Sequence, residues 1–259
     1  MRIANNLMAM NTHRQMGVST AGASKTMEKL SSGFRINRAA DDAAGLSISE
    51  KMRGQIRGLA QASRNAQDGI SLIQTAEGAM NEVSNMLVRL KELAVQKASG
   101  TYNAEDKANI DLEMDELIAE IGSIETNTEF NGTAVLNTAN TFDIVISDDD
   151  TVTLTITGAD VSTASALTNA SATADIEAAI DAVNLERATL GAQQNRLEST
   201  VRNLDTTTEN LQAAESRVRD TDMAKEMMAF TKNNILLQAS QAMLAQANQA
   251  PQGVLQLLR

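Results

Sequence analysis

Apolar residues recur along three stretches of the chain with gaps that alternate between three and four positions. An average repeat of 3.5 residues keeps one face of a helix against a partner helix, as in coiled-coil packing. The sequence therefore predicts three long helices. Their apolar faces comprise Ile73, Ala76, Met80, Val83, Leu87, Leu90 and Ala94 in the first, Ile110, Met114, Leu117, Ile121 and Ile124 in the second, and Ile176, Ile180, Val183, Leu190, Leu197, Val201, Leu204, Leu211 and Val218 in the third.

The first two of these helices are separated by residues that favour a helix end and a helix start. Gly100 is expected to end the first helix, and Asn103 is expected to cap the second, whose first turn contains Asp106. The pattern then changes: "TFDIVISDDDTVTLTIT" alternates β-branched and polar residues on both sides of three aspartates, which predicts a β-hairpin near 142–157. The Ser-, Thr- and Ala-rich stretch that follows predicts a loop running to Ile176.

The two ends of the chain have a different character. Ile3, Leu7 and Met10 begin another apolar face, and the stretch from Asn233 to Leu258 contains no charged side chain. A helix that is uncharged on every side is normally buried on every side, and two paired helices cover only one side of each other. We therefore expect copies of the same chain to cover the rest, in an assembly that can propagate as a helical filament.

Composition excludes several other classes of protein. The chain of 259 residues has a formal net charge of -11, no Cys and no Trp, so it can form neither a disulfide nor a thiolate metal site. Positive charge concentrates in the first 40 residues without aromatic interleaving, which disfavours nucleic-acid binding. The first residues have no apolar run of signal-peptide length, and no stretch has the ~20 apolar residues of a membrane span. Any export would therefore need no cleaved leader. A membrane-surface helix would need Lys or Arg beside Trp or Phe, which residues 233–258 lack.

The sequence offers little for catalysis or metal binding. His13 is the only His, and neither a zinc-peptidase pair nor a phosphate-binding loop is present. Asp41 and Asp42 are adjacent, but nearby Arg35 and Arg38 favour a role in a turn and a helix cap. The three aspartates at 148–150 lack the ligand spacing of a calcium-binding loop. We therefore expect neither an enzyme nor a bound cofactor.

At these residues the chain resembles bacterial flagellin. The resemblance rests on "MRIANNLMAMNTHRQM" at the start, "LSSGFRINRAADDAAGLSISEKMRGQIRGL", "SRNAQDGISLIQTAEGAMNEVSNMLVRLKELAVQ", "TEFNG" and the final "NNILLQASQAMLAQANQAPQGVLQLLR". These segments occupy both terminal thirds of the chain in order. The resemblance implies a secreted structural subunit that self-assembles into the extracellular flagellar filament for motility.

The resemblance also implies a mainly α fold with three regions. Residues 1–40 and 220–259 would be paired terminal helices that form the inner tube of the filament. Residues 41–65 would form a connecting turn, and the segment matching Ser31–Ile48 would link the tube to the rod. Residues 66–219 would form an outer, coiled-coil-like rod of helices with the hairpin. The short stretch between Asn137 and Ala174 leaves no room for a large outer domain, so the chain would be a minimal form.

Site residues and partners follow from the same resemblance. The inner-tube interface would comprise Ile3, Leu7, Met10, Ile235, Leu236, Met243, Val254, Leu255 and Leu258. The implied partners are further copies of the chain, an export chaperone at the C-terminal segment, and the filament cap and hook-junction proteins. Neither nucleic acid nor membrane insertion is expected.

Many flagellins are also recognised by an innate immune receptor of animal cells. The pattern in "VRLKELAVQ" carries this site onto Arg89, Glu92 and Leu93, and Glu120 would complete it. Lys91 departs mildly from the family pattern, which has Arg there. Leu93 also lies near the apolar face of its helix, so packing is the alternative role for it.

Two other functions stay open at this point. The chain could be a minor or junction protein of the filament, which would carry similar terminal segments. It could also be a secreted helical protein that binds a host membrane or receptor as a monomer. Growth of long filaments from purified protein would separate the first two possibilities from the third.

Overall fold

The computed structural model describes residues 6–137 and 140–257, and within these it describes the side chains up to residue 250. The chain is mainly helical, as the sequence predicts. Its helices are α1 (Leu7–Ser32), α2 (Ala43–Ala98), α3 (Ala104–Asn127), α4 (Ser162–Ser165), α5 (Thr173–Arg219) and α6 (Met223–Leu257). Two antiparallel hairpins are formed by β1 (Glu129–Phe130) with β2 (Thr133–Ala134), and by β3 (Thr141–Val145) with β4 (Thr153–Thr157).

The structure divides into two compact units. The first comprises the described residues up to Arg53 together with those from Leu211 onward, and the second comprises Gly54–Asn210. The boundaries fall inside α2 and inside α5. The terminal ranges expected for the inner tube lie within the first unit.

The core of the second unit is formed by the apolar faces predicted from the 3.5-residue repeat. Met80, Val83 and Leu87 of α2 have no exposed surface, and they cluster with Ile121 of α3 and Val183 of α5. Leu117, Ile124, Ile180 and Val201 pack against this cluster while keeping part of their surface in solvent. The predicted helices and their buried faces are therefore confirmed.

The predicted hairpin is present and its apolar face is buried. Ile144 stands opposite Leu154, and Phe142 stands opposite Ile156. Leu154 and Ile156 are almost completely buried and belong to the core of the second unit. Thr155 donates to Asp143 across the strands at 2.6 Å. The alternation of apolar and polar residues thus gives this hairpin one face in the core and one in solvent.

The hairpin lies against α2 at close range. A Cβ atom added at Gly58 would stand 2.8 Å from the Cα atom of Asp148, so only a residue without a side chain leaves room there. Seven residues further along α2, the side-chain amide of Asn65 donates to the carbonyl oxygen of Val145 at 3.2 Å. The hairpin tip and its first strand are therefore fixed on the helix.

The hairpin of β1 and β2 was not predicted. Its turn is Asn131–Gly132, and both residues have positive φ, 52° and 77°. Two successive positive φ values are typical of a type I′ turn, for which Asn-Gly is a preferred sequence. The dipeptide was therefore a usable signal, but the flanking strands are only two residues long.

The segment before α5 differs from the loop that the sequence predicts. The expected loop up to Ile176 contains the short helix α4, and α5 already begins at Thr173. Ala159 and Val161 in this segment are buried in the core, so it is packed rather than free. The helix α2 starts at Ala43, within the range 41–65 that we expect to connect the terminal helices to the rod.

The predicted ends of the helices around residue 100 are confirmed. Asn103 accepts from the backbone N–H of Asp106, and Asp106 accepts from the backbone N–H of Asn103. This reciprocal arrangement satisfies two amide groups at the start of α3 and favours the acidic first turn. The preceding helix α2 ends at Ala98, close to Gly100.

Candidate functional site

The helices α1 and α6 form an antiparallel pair in the first unit, and we call them the terminal helix pair. Asn6 at one end of α1 hydrogen-bonds Ala247, whereas Lys29 near the other end approaches Glu226 at 4.0 Å. Between these points Gly22 lies beside Asn233, and a Cβ atom at Gly22 would stand 3.2 Å from the Asn233 amide nitrogen. The absence of a side chain at Gly22 lets the two helices approach closely.

The terminal helix pair leaves most of its large apolar side chains exposed. Each of the following has 41% or more of its surface in solvent: Leu7, Met8, Met10, Val18, Met27, Met223, Met227, Met228, Ile235, Leu236 and Met243. Large apolar side chains exposed in such number on two paired helices are typical of a surface that binds another molecule. The pair is therefore the candidate functional site.

The predicted interface residues can be placed individually. Leu7, Met10, Ile235, Leu236 and Met243 are all exposed on the terminal helix pair. Ile3 and Leu258 lie outside the described residues, and the side chains of Val254 and Leu255 do so too. Sequence reasoning missed Met227 and Met228, which are also exposed and lie with Ile235 on another part of α6. Their spacing from Ile235 along α6 was the available signal.

A groove runs between the two helices near the chain ends. Its volume is about 470 Å³, and its lining includes Met8, Thr12, Met243, Gln246 and Ala250. None of these side chains is ionisable, so a charged group entering the groove would lose its hydration without gaining an ionic partner. The groove is suited to an apolar or amide-bearing side chain.

A short turn follows α1 and is tied to the residues between α5 and α6. Gly33 has φ of 75°, which ends α1 in a left-handed conformation, and its N–H donates to the carbonyl oxygen of Lys29 at 2.8 Å. The Arg35 N–H then donates to the Arg219 carbonyl oxygen at 2.7 Å, and the Thr221 N–H donates to the Gly33 carbonyl oxygen at 3.0 Å. These bonds hold the end of one terminal helix next to the start of the other.

Asp41 and Asp42 have separate structural roles beside this turn. Asp41 forms a salt bridge of 2.9 Å with Lys25 and accepts from the backbone N–H of Arg38. The hydrogen bond from Lys25 and those from the backbone lower the pKa of Asp41 to about 2. Asp42 instead accepts from the N–H of Gly45 at 2.9 Å, at the start of α2. The two carboxylates therefore do not act together on a common ligand.

Three of the four predicted receptor residues lie on α2 in the second unit. The Arg89 guanidinium donates to Glu92 at 3.1 Å and to Glu113 of α3 at 2.7 Å. Glu113 was not predicted, because the pairing of α2 with α3 brings it to Arg89 from 24 positions away. Leu93 is only 1% exposed and belongs to the core, so its side chain has no free surface for direct contact. Glu120 is exposed on α3.

The described part of the chain offers no group of side chains for a metal ion. Within it, no three His, Asp or Glu side chains come close enough together to hold a metal ion. His13 lies exposed on α1. None of the described helices is long and apolar enough to cross a lipid bilayer.

Comparison with known proteins gives two family matches that together cover most of the chain. Residues 3–141 match the bacterial flagellin N-terminal helical region, and residues 173–258 match the bacterial flagellin C-terminal helical region. The matched ranges include both helices of the terminal helix pair.

Individual relatives are similar over their whole length. The chain is 55% identical to flagellin of Halalkalibacterium halodurans and 49% identical to flagellin of Bacillus subtilis, with all of both chains covered in each comparison. It is 46% identical, again over both full lengths, to the flagellar filament 33 kDa core protein of Treponema phagedenis. Among solved structures, the crystal structure of Bacillus cereus flagellin is similar with a TM-score of 0.50 and 36% identity, covering 59% of this chain and 94% of that one.

Proposed function

Because this chain belongs to the bacterial flagellin family and is a structural subunit of the flagellar filament, we propose that it polymerises through the terminal helix pair. The observation that carries the proposal is the exposure of large apolar side chains on both α1 and α6. Fully burying one such side chain contributes roughly 1.5–3 kcal/mol. Several of them buried per subunit would outweigh the entropy lost when a subunit joins the polymer.

The proposed contact joins different surfaces of identical chains. A contact of this kind does not close on itself in general, and it continues as a helix of subunits. Lining a tube with α1 and α6 would cover the sides of each helix that its partner within the chain leaves open. In this arrangement residues 66–219 form the outer part of the filament and residues 41–65 connect it to the tube. The protein is structural and not an enzyme.

The same surface explains the partners that we propose outside the filament. An export chaperone would cover the C-terminal segment before export, because an uncharged helix from Asn233 onward associates readily with other apolar surfaces. The filament cap and the hook-junction proteins would contact the ends of the polymer. The chain would then act outside the cell, after export in an unfolded form and folding at the filament tip.

We also propose that the free subunit is recognised by an innate immune receptor through Arg89, Glu92 and Glu120. All three side chains are exposed, and Arg89 is held in place by Glu92 and Glu113. Leu93, at 1% exposure, would contribute by holding α2 in position rather than by touching the receptor.

Hydrogen exchange tests the assembly proposal directly. The exchange of amides in residues 6–32 and 223–257 is measured in dilute monomer and again after addition of filament fragments as seeds. We expect fast exchange in the monomer, then strong protection as filaments grow, because the terminal helices gain their burial from neighbouring subunits. The core of the second unit is the internal control and should be protected in both samples. Full protection of the terminal helices in a monomer that does not elongate seeds would overturn the proposal.

A further inference from the structure

The helix α6 contains a proline close to the end of the chain. The helical backbone continues through Pro251 to Leu257. Proline has no backbone N–H, so it cannot donate a hydrogen bond to the carbonyl group four residues earlier. The carbonyl oxygen of Ala247 therefore lacks the donor that an uninterrupted α-helix would give it.

The residue that carries this carbonyl group, Ala247, is buried. Ala247 is 4% exposed, and among the described side chains of α6 it is the one that is buried. A buried carbonyl oxygen without a hydrogen-bond donor is costly, since water cannot replace the lost bond. The position therefore requires a donor from elsewhere in the molecule.

Asn6 supplies that donor. Its side-chain Nδ2 donates to the Ala247 carbonyl oxygen at 2.7 Å across 241 positions of sequence. Its Oδ1 simultaneously accepts from the backbone N–H of Ala9 at 3.1 Å and so caps the start of α1. An amide is suited to both tasks because it carries a donor and an acceptor, whereas a carboxylate at this position could only accept.

We propose that Asn6 sets the axial register of α1 against α6 by supplying the hydrogen-bond donor that Pro251 lacks. A subunit enters the filament when its terminal helix pair has this register. Near the chain ends the groove between the two helices is otherwise lined by Met, Ala, Thr and amide side chains, which tolerate sliding along the helix axis, whereas the Lys29–Glu226 pair lies at the other end. A slip of one helical turn moves a helix by about 5.4 Å and would break the bond to this one carbonyl oxygen. The inference rests on the proposed function and adds a register-determining residue to it.

The test is a double-mutant cycle on the full-length chain. Asn6→Asp keeps the acceptor that caps α1 and removes the donor, while Pro251→Ala restores the N–H within α6. The monomer concentration in equilibrium with filaments grown from wild-type seeds is measured for the wild type, both single variants and the double variant. Asn195→Asp, an exposed amide-to-carboxylate change on α5 in the second unit, is made alone and with Pro251→Ala as the matched control.

We expect Asn6→Asp to raise the equilibrium monomer concentration about fivefold to tenfold in the wild-type background, the effect of one buried carbonyl left without its donor. In the Pro251→Ala background the same change should have an effect of less than about twofold. Asn195→Asp should have the same small effect in both backgrounds. An equal effect of Asn6→Asp in both backgrounds, or none in the first, would overturn the inference.

A second measurement does not depend on assembly of the Pro251→Ala variant. The carbonyl carbon of Ala247, labelled with ¹³C, is observed by solid-state NMR in filaments of the wild type and of Asn6→Asp. Its chemical shift should move in Asn6→Asp and stay in place in Asn195→Asp, and an unchanged shift in Asn6→Asp contradicts the proposed bond. Failure of the wild type itself to elongate seeds would overturn the proposed function. If the wild type elongates seeds but Asn6→Asp has the same effect with and without Pro251→Ala, only this inference is overturned.

Discussion

The guanidinium carbon of Arg219 lies 4.8 Å from the centre of the Phe34 ring, close enough for a cation–π interaction. Phe34 follows the end of α1, and Arg219 is the last residue of α5. Arg219 also donates to Glu50 at 2.8 Å, and its side chain is only 13% exposed. The stacked guanidinium therefore joins the turn after α1 to the first part of α2.

Arg219→Lys should weaken this part of the first unit. Lysine keeps the charge but loses the planar group that can stack on Phe34 while donating to Glu50. We expect the free energy of unfolding to fall by about 1–2 kcal/mol, measured as a lower thermal transition of filaments by calorimetry. Arg217→Lys is the control, since Arg217 is exposed on the same helix. Equal transitions for the two variants would show that the stacking contributes nothing.

Gly58→Ala should destabilise the second unit although alanine is the better helix former. The added Cβ would meet the backbone of Asp148 at 2.8 Å, so the hairpin tip must move. We expect a loss of about 1–3 kcal/mol, as for other overpacked sites, measured by urea unfolding of the full-length monomer. Gly78→Ala on the same helix has no neighbour within 4 Å and should instead stabilise by about 0.5–1 kcal/mol. A stabilising effect at Gly58 would mean that the hairpin does not lie against α2.

Arg89→Ala and Leu93→Ala should affect receptor activation for different reasons. Arg89 forms exposed ion pairs, so its loss should leave the stability of the fold almost unchanged while reducing activation by free monomer. Leu93→Ala removes a buried side chain and should cost about 2–5 kcal/mol, so any loss of activation would accompany partial unfolding. Both properties are measured in a receptor-reporter assay and by thermal unfolding, with exposed Arg196→Ala as the control. Full activation by Arg89→Ala would contradict a direct role for this side chain.

The turn around Asp41 should lose part of its stability in acid. The pKa of Asp41 is lowered from 3.8 to about 2, chiefly by the hydrogen bond from Lys25. A carboxyl group whose pKa is lower in the folded state stabilises that state above its unfolded pKa, and the contribution disappears as the pH falls through the folded value. The contribution should therefore be complete above about pH 5, decrease as the pH falls through the folded value, and be absent only below about pH 2. Carboxyl ¹³C NMR titration of Asp41 measures it directly.

The variant Lys25→Gln tests the cause of this shift. Without the ammonium group, the pKa of Asp41 should rise toward its ordinary value, and the acid dependence of the turn should move to higher pH. Asp41→Asn should remove that dependence altogether. An unchanged titration of Asp41 in Lys25→Gln would assign the low pKa to the backbone N–H groups of Asn37 and Arg38 instead.

The parts of the fold that could be predicted from the sequence are those in which the spacing of apolar residues indicates which side chains are buried. Met80, Val83 and Leu87 follow a 3.5-residue repeat, and all three are fully buried. The buried segment around Ala159 and Val161 could not be read in this way. Its position depends on a backbone bond from Ala159 to Val135, which the Ser-, Thr- and Ala-rich composition does not reveal.

Only part of the candidate site could be predicted from the sequence, for a similar reason. The absence of charge after Asn233 and the apolar residues of α1 indicated which segments would be exposed. Which residues pair across the chain was not encoded locally: Asn6 meets Ala247 across 241 positions, and Arg89 meets Glu113 across 24. Such contacts follow from the packing of whole helices and require the three-dimensional structure.

The lack of charge in the later part of α6 has a consequence for the surroundings in which a filament works. Dissolved salt weakens attractions between ions, with a screening length of about 8 Å at physiological ionic strength, but it does not screen contacts among Met, Leu, Ala and Gln. Outside the cell, where we propose that the filament lies, the salinity of the water varies. Contacts formed by residues 233–257 would hold equally well in dilute and in saline water, because no charged side chain there depends on the ions in solution.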